Sequence, residues 1–159
     1  MTTGFLLGKF LPPHRGHMHL IETARGQVDR LTVLVCSIRR EPIPGALRYA
    51  WVRGLYPDVD VQHCLDENPQ VPEEHPDFWA IWVASIRRFM PAGPDLVFSS
   101  ELYGDELARR LGARHVLVDL ERRCVPVSGT LVRARPFEYW DYIPEPVRAY
   151  YAAQAAAGG

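Results

Sequence analysis

The 159 residues, 47% of them hydrophobic and 23% charged, have the composition of a globular protein and exclude a disordered or fibrous chain. A formal net charge of −1 gives no electrostatic reason for nucleic-acid or anionic-membrane binding. Because no apolar run approaches the ~18 residues that span a bilayer, no secretory signal is visible, and the three cysteines form no Cys-x-x-Cys pair, we expect a cytoplasmic protein with neither nucleic-acid nor membrane partners.

Short apolar runs alternate with helical patterns along the chain. Taken in order, the predicted strands cover residues 5–10, 31–37, 59–64, 96–99 and 116–120, and the predicted helices cover 17–27, 46–55, 77–89 and 104–111. Continuous apolar strands separated by helices are typical of a parallel sheet that is covered on both faces. The expected fold class is α/β, a Rossmann-like, doubly wound, five-stranded parallel sheet with helices on both faces.

One domain is expected over residues 1–151. Residues 66–77 carry three prolines and several carboxylates, which predicts a surface loop. Residues 152–159 are alanine-rich and end in Gly-Gly, which predicts a flexible tail.

The turn after the first strand reads Gly-Lys-Phe-Leu-Pro-Pro-His-Arg-Gly-His and leads directly into a helix. Ligands of open parallel sheets bind beyond the carboxyl ends of the strands, so this turn and residues 99–103 after strand four are the candidate site. A helix N-terminus suits phosphate, Gly16 permits close approach, and Lys9, His14 and His17 can donate to an anion. An ordinary turn with exposed polar side chains would also account for any single histidine.

Two other interpretations of this turn are weaker. Gly4-x-x-x-Gly8-Lys9 is one residue too short for a Walker A loop and lacks the following Ser or Thr. His14, His17 and His19 have no acidic or thiol partner at a metal-like spacing, so we expect no protein metal site.

Two further patterns each have an ordinary structural explanation. In the second cluster, Ser128 or Thr130 caps a short helix that brings Arg133 near a phosphate, although capping alone explains the hydroxyls. Trp79 and Trp82 fall on one stripe of a predicted helix, where core packing and stacking on a planar heterocycle both stay open.

Taken together, Gly8-x-Phe10-x-Pro12-x-His14-x-Gly16-His17 and Ser128-x-Thr130-x-x-Arg133 resemble the two signatures of the nucleotidylyltransferase superfamily. Lys9, the two tryptophans, residues 95–101, residues 116–119 and residues 136–144 extend the resemblance to nicotinamide-nucleotide adenylyltransferases of the NadR type. The resemblance covers nearly the whole chain and makes residues 1–151 a nucleotidylyltransferase domain.

The resemblance implies adenylyl transfer from ATP to nicotinamide mononucleotide (NMN), giving NAD and pyrophosphate, with Mg²⁺ held by the phosphates. It implies catalytic roles for His14, His17, Lys9 and Arg133. The implied ATP-binding residues are Gly8, Phe10, Gly16, Ser99, Ser100, Ser128 and Thr130. The implied NMN-binding residues are Trp82, which would stack on nicotinamide, Trp79 and Phe10.

The chain also departs from the NadR pattern. The kinase and DNA-binding domains that NadR-type proteins carry have no counterpart in these residues, and residues 37–48 are shorter than expected, which leaves their role open. A nucleotidylyltransferase for another phosphate ester and a silent nucleotide or NAD sensor are the alternatives. Association of identical chains is left open.

Overall fold

The computed structural model describes residues 1–158 and contains one parallel sheet of five strands. The strands are β1 (Thr3–Gly8), β2 (Arg30–Cys36), β3 (Asp60–Cys64), β4 (Leu96–Ser99) and β5 (Arg114–Leu117). The helices are α1 (Arg15–Arg25), α2 (Gly45–Leu55), α3 (Phe78–Phe89), α4 (Tyr103–Leu111), α5 (Gly129–Ala134) and α6 (Glu145–Gly158). Short 3₁₀ turns occupy Pro72–Glu74 and Trp140–Tyr142.

The strand order is β3-β2-β1-β4-β5, so the chain winds outward from β1 in both directions. Residues of β1 alternate between the two faces because successive side chains of a strand point to opposite sides. Leu6 packs with α1 and α2, whereas Phe5 packs with α3 and α4. The predicted doubly wound sheet with helices on both faces is confirmed, and the reversal of strand order lies at the carboxyl end of β1.

A third apolar cluster fastens the C-terminal part of the chain over that end of the sheet. Val132 of α5 is buried with Leu11 of the turn after β1 and Trp51 of α2. Ile143, just before α6, and Val147 of α6 belong to the same cluster. This packing brings the second signature next to the first, although more than a hundred residues separate them in sequence.

Most predicted boundaries differ from the observed ones by one or two residues, and the ends of the first and fifth strands have a clear physical reason. The first strand was expected to reach Phe10 but ends at Gly8, because Phe10 turns the chain with a φ of 49°. The fifth strand was expected over 116–120 but occupies Arg114–Leu117. It ends before Asp119, whose φ is 49° and whose carboxylate accepts from the backbone N–H groups of Arg123, Cys124 and Val125.

Helix α6 was not predicted, and it continues through Gly158 with exposed side chains beyond Tyr151. The flexibility expected of residues 152–159 stays a prediction, and Gly159 lies outside the described residues. No helix within residues 1–158 is long and apolar enough to cross a membrane.

Candidate functional site

A cavity of about 640 Å³ opens at the carboxyl ends of β1, β2 and β4. All the residues that the sequence singled out line it. They are Gly8, Lys9, Phe10, His14, Gly16, His17, Trp79, Trp82, Ser99, Ser100, Ser128, Thr130 and Arg133. The structure therefore brings together in one pocket four groups that are far apart in sequence, and the individual roles stay predictions.

His14 and His17 cap helix α1 together. Nδ1 of His14 accepts from the backbone N–H of Gly16 at 3.0 Å, and Nδ1 of His17 accepts from the backbone N–H of His14 at 3.2 Å. This is a capping box built from imidazoles in place of the usual hydroxyl and carboxylate. Because each Nδ1 accepts, the proton of each neutral ring is on Nε2, which makes both rings donors.

The environment keeps these two rings neutral. Burial, assisted by the positive charge of Arg122, lowers the pKa of His14 from 6.5 to about 4. Burial also lowers the pKa of His17 well below its usual range, with smaller contributions from His14 and Arg122. The rings are stacked with centroids 3.8 Å apart, which fixes their relative orientation. Two neutral N–H donors held in this way suit an anion and do not need to exchange protons.

Gly16 is required by His14 itself. A Cβ at residue 16 would lie 2.8 Å from Cε1 and 2.9 Å from Nδ1 of the His14 ring. The sequence suggested that Gly16 allows a ligand to approach, whereas the structure shows that its hydrogen is needed to seat the imidazole.

Helix α5 carries the second signature beside the turn after β1. Ser128 caps α5 by accepting from the backbone N–H of Leu131 at 3.2 Å, and Arg133 donates through Nη1 to the carbonyl of Leu11. A Cβ at Gly129 would lie 2.8 Å from the same carbonyl oxygen. Arg133 thus ties the two signatures together, while its side chain lines the cavity.

Lys9 is paired within the protein. Its Nζ lies 2.9 Å from Oε2 of Glu41, whose other oxygen accepts from Nη2 of Arg48 at 3.0 Å. Arg48 is fully buried and also donates to the carbonyls of Lys9 and Ile43 at 2.9 and 3.0 Å. This network attaches residues 38–44 to the turn after β1, and it defines the structural role of the segment that sequence left open.

The two tryptophans line the cavity from α3, on the sheet face opposite α1. Both are half-buried and also pack against the core, and Nε1 of Trp82 donates to the carbonyl of Pro69 at 2.8 Å. Phe10 is almost wholly buried, and its ring centroid is 4.6 Å from that of His17, so it supports the imidazole from behind. Ring stacking on a ligand stays a prediction for the two tryptophans, and ligand binding stays a prediction for Phe10.

Sequence reasoning missed Glu41, Arg48, Asp119 and Arg122. Glu41, Asp119 and Arg122 line the cavity, and Arg122 lies close enough to influence both imidazoles. A fully buried arginine on a helix is indistinguishable in sequence from an exposed one, because its carbonyl and carboxylate partners come from other segments. Asp119 was noted only as part of a resembling segment.

The sequence matches the cytidylyltransferase-like family over residues 5–135, which include both signatures and all of the sheet except the first two residues of β1. The chain belongs to this family. It is 31% identical to the trifunctional NAD biosynthesis/regulator protein NadR of Escherichia coli, over 99% of this chain and 42% of that protein. It is 27% identical to a nicotinamide-nucleotide adenylyltransferase of Methanoculleus marisnigri, over 92% of this chain and 87% of that enzyme.

The fold of this cytidylyltransferase-like chain is also that of a solved NadR protein in complex with NAD and AMP-PNP. The TM-score is 0.68 at 23% identity, over 89% of this chain and 44% of the other. The predicted similarity to NadR-type nicotinamide-nucleotide adenylyltransferases is confirmed. The chain spans less than half the length of the NadR proteins it matches.

Proposed function

We propose that this chain transfers the adenylyl group of ATP to NMN, giving NAD and pyrophosphate. The observation that carries the proposal is the pair of neutral imidazoles that cap α1 and present Nε2–H donors within the cavity. Arg133 and Ser128 line the same cavity from α5, and the tryptophans line it from α3. The pocket thus combines donors for a polyphosphate with an aromatic wall for a heterocycle.

The relatives support this choice of reaction. The archaeal proteins named nicotinamide-nucleotide adenylyltransferase are matched over 82% to 87% of their own length, so the chain is similar to nearly the whole of those enzymes. The NadR proteins are matched over 42% of theirs. A chain of this size therefore has room for the same transfer step.

The chemistry needs positioning more than proton transfer. A phosphate oxygen of NMN attacks the α-phosphorus of ATP, a new P–O–P bond forms, and the bond to pyrophosphate breaks. The second pKa of the NMN phosphate is about 6, so this phosphate is already mostly dianionic at pH 7. No general base is therefore required. Because the proton of each imidazole is on Nε2, His14 and His17 act as donors to the charge that moves onto the leaving pyrophosphate.

Lys9 and Arg133 supply the positive charge in this proposal. Lys9 would leave Glu41 to reach the triphosphate, while Glu41 keeps its pairing with Arg48. Arg133 keeps the turn after β1 in place through the Leu11 carbonyl and has further N–H groups for phosphate oxygens.

Mg²⁺ is best treated as part of the MgATP substrate. Three of the four cavity carboxylates already have close partners: Glu41 binds Lys9 and Arg48, Asp66 binds Ser85 and Arg88, and Asp119 accepts from backbone N–H groups. The fourth, Glu101, lies 3.8 Å from Arg122. Within residues 1–158 no three His, Cys, Asp or Glu side chains are grouped to hold a metal. The cavity residues therefore fit an Mg²⁺ ion that would be bound by triphosphate oxygens and water. Such an ion would neutralise part of the triphosphate charge.

The test is product analysis with the purified chain. MgATP with NMN should give NAD and pyrophosphate in equal amounts, while MgCTP or other phosphate esters should give little product. Faster turnover of CTP with another ester would replace the proposed substrates. Tight ATP or NAD binding without any product in the whole panel would favour the nucleotide-sensing alternative. Cytoplasmic location and self-association stay predictions, which fractionation and sedimentation would test.

A further inference from the structure

A buried histidine outside the two signatures joins three elements beside the cavity. His115 of β5 places Nε2 2.7 Å from Oγ of Ser99 at the end of β4 and Nδ1 2.7 Å from the carboxylate of Asp105 in α4. Its side chain is only 7% exposed. Ser99 lines the cavity, whereas His115 itself does not.

The histidine links Asp105 to Ser99. The Asp105 carboxylate can only accept, so Nδ1 of His115 carries a proton and donates to it. In the neutral ring Nε2 then accepts from the Ser99 hydroxyl, whereas in the protonated ring Nε2 donates to the Ser99 oxygen while the hydroxyl donates to the carbonyl of Glu101 at 2.7 Å. Through this chain of bonds His115 holds the turn of residues 99–101, where Ser99, Ser100 and Glu101 form one wall of the cavity.

The packing around this bond leaves no space for rearrangement. A Cβ at Gly104, in the first turn of α4, would lie 2.2 Å from Nε2 of His115 and 2.3 Å from Oγ of Ser99. The helix therefore closes directly over the serine–histidine pair.

A matching arrangement occurs on the other side of β1. Ser37, directly after β2, lies 2.7 Å from Nε2 of His63 on the edge strand β3. A Cβ at Gly45, the first residue of α2, would lie 2.1 Å from Oγ of Ser37. At the ends of β2 and β4, a buried hydroxyl at the cavity is bonded to a histidine of the neighbouring edge strand and covered by a glycine in the first turn of the next helix.

We propose that His115 is a positioning residue for ATP, which fixes the 99–101 turn through its Nε2 bond to Ser99 so that this wall fits the adenosine part of the nucleotide. The proposal rests on the proposed function. Arg122 lies 3.8 Å from Glu101 of the 99–101 wall, and its positive charge lowers the pKa of both His14 and His17. The wall is therefore continuous with the proposed triphosphate site.

Two substitutions of the same residue separate positioning from simple structural support. In His115→Gln the side-chain amide takes the place of Nε2 and can either donate to or accept from Ser99. The shorter amide of His115→Asn reaches only the place of Nδ1, near Asp105. We expect His115→Asn to weaken ATP binding about 10-fold and His115→Gln to weaken it less than about 3-fold, since one hydrogen bond to the wall is at stake. The KM for NMN and kcat at saturating ATP should stay within about 3-fold in both variants.

The measurements are the ATP dissociation constant by calorimetry without NMN, the two KM values, and the melting temperature. Asp105→Ala removes only the exposed partner of His115, so its ATP affinity should resemble that of His115→Gln. The control is Glu106→Gln, because Glu106 lies on the same helix turn and forms exposed ion pairs. The double variant Ser99→Ala/His115→Asn should bind ATP no more weakly than the worse single variant, because both changes break one bond.

Equal ATP affinity in His115→Asn and His115→Gln, or additive losses in the double variant, would overturn the proposal. If His115→Asn does not fold, Ser99→Ala carries the same 10-fold expectation, and wild-type ATP affinity in that variant overturns it as well. A wild-type chain that binds no ATP in the same titration would instead refute the proposed function, so the two failures are distinguishable.

Discussion

Gly16→Ala sets two physical effects against each other. Residue 16 lies in the first turn of α1, and replacing glycine by alanine in a helix usually stabilises it by about 0.5–1 kcal/mol. Here the new methyl would lie 2.8 Å from Cε1 of His14. Since carbon atoms pack at about 3.5 Å or more, the His14 ring would have to move by about 0.7 Å.

The ring has little room for that movement. It is buried, stacked on His17 at 3.8 Å, and bonded through Nδ1 to the very residue that is changed. Loss of the cap costs about 1 kcal/mol, and overpacking costs about 1–3 kcal/mol. The net expectation is a loss of about 1–3 kcal/mol of unfolding free energy, together with a fall of about 10²-fold in kcat for NAD formation, because the donor is misplaced.

Urea unfolding and steady-state kinetics measure the two effects. Gly54→Ala is the matched control, because Gly54 is an exposed position of α2 with no atom within 4 Å of the new methyl. That control should gain about 0.5–1 kcal/mol and keep its activity. A Gly16→Ala variant that is as stable and active as the wild type would refute the seating of His14 described above.

Three other predictions follow from the buried charges and the aromatic wall. The pKa of His14 near 4 means that below pH 6.5 the unfolded chain binds a proton that the folded chain refuses, so unfolding free energy should fall between pH 6.5 and 4 by up to about 1.4 kcal/mol per pH unit, measured by urea titration. Arg48→Met should cost about 3 kcal/mol or more, since it removes the buried guanidinium that binds Glu41 and the carbonyls of Lys9 and Ile43. Trp82→Ala should weaken NMN binding by about 1–3 kcal/mol and change the KM for ATP little, whereas Trp79→Ala should mainly lower the melting temperature.

Each of these three predictions would be refuted by a specific outcome. Stability that does not change between pH 6.5 and 4.5 would contradict the neutral cap. Arg53→Met, exposed on the same helix as Arg48, is the charge control, and equal losses in the two variants would refute a special role for the buried guanidinium. If Trp79→Ala raises only the KM for NMN while Trp82→Ala melts early, the two tryptophans have the opposite roles.

The sequence predicted the sheet well because local patterns determine it. Phe5, Leu6 and Leu7 form a continuous apolar run, as buried parallel strands do. The position of β5 was less accessible, since its register depends on pairing with β4 and its end on the Asp119 turn. Helix α6 was not predicted, because Val147 is its one buried residue and a single buried position gives no helical apolar pattern.

The sequence motifs predicted which residues form the site, but they did not predict how those residues bind one another. Histidine is not a usual helix cap, so nothing local indicated that His14 and His17 cap α1. The same holds for Arg48, whose three partners come from other turns of the chain. Long-range hydrogen bonds of this kind have no periodic signature in a sequence.

The measurement that tests the central claim most directly is NAD formation by His14→Asn. Asparagine is among the best helix caps, so this variant keeps the acceptor for the Gly16 N–H while it loses the Nε2–H donor. We predict an unchanged or higher melting temperature and a kcat lower by about 10²-fold or more, as expected for a lost donor to transition-state charge. A folded His14→Asn enzyme that makes NAD at nearly the wild-type rate would show that the imidazole only caps the helix, and the account of the site would be wrong.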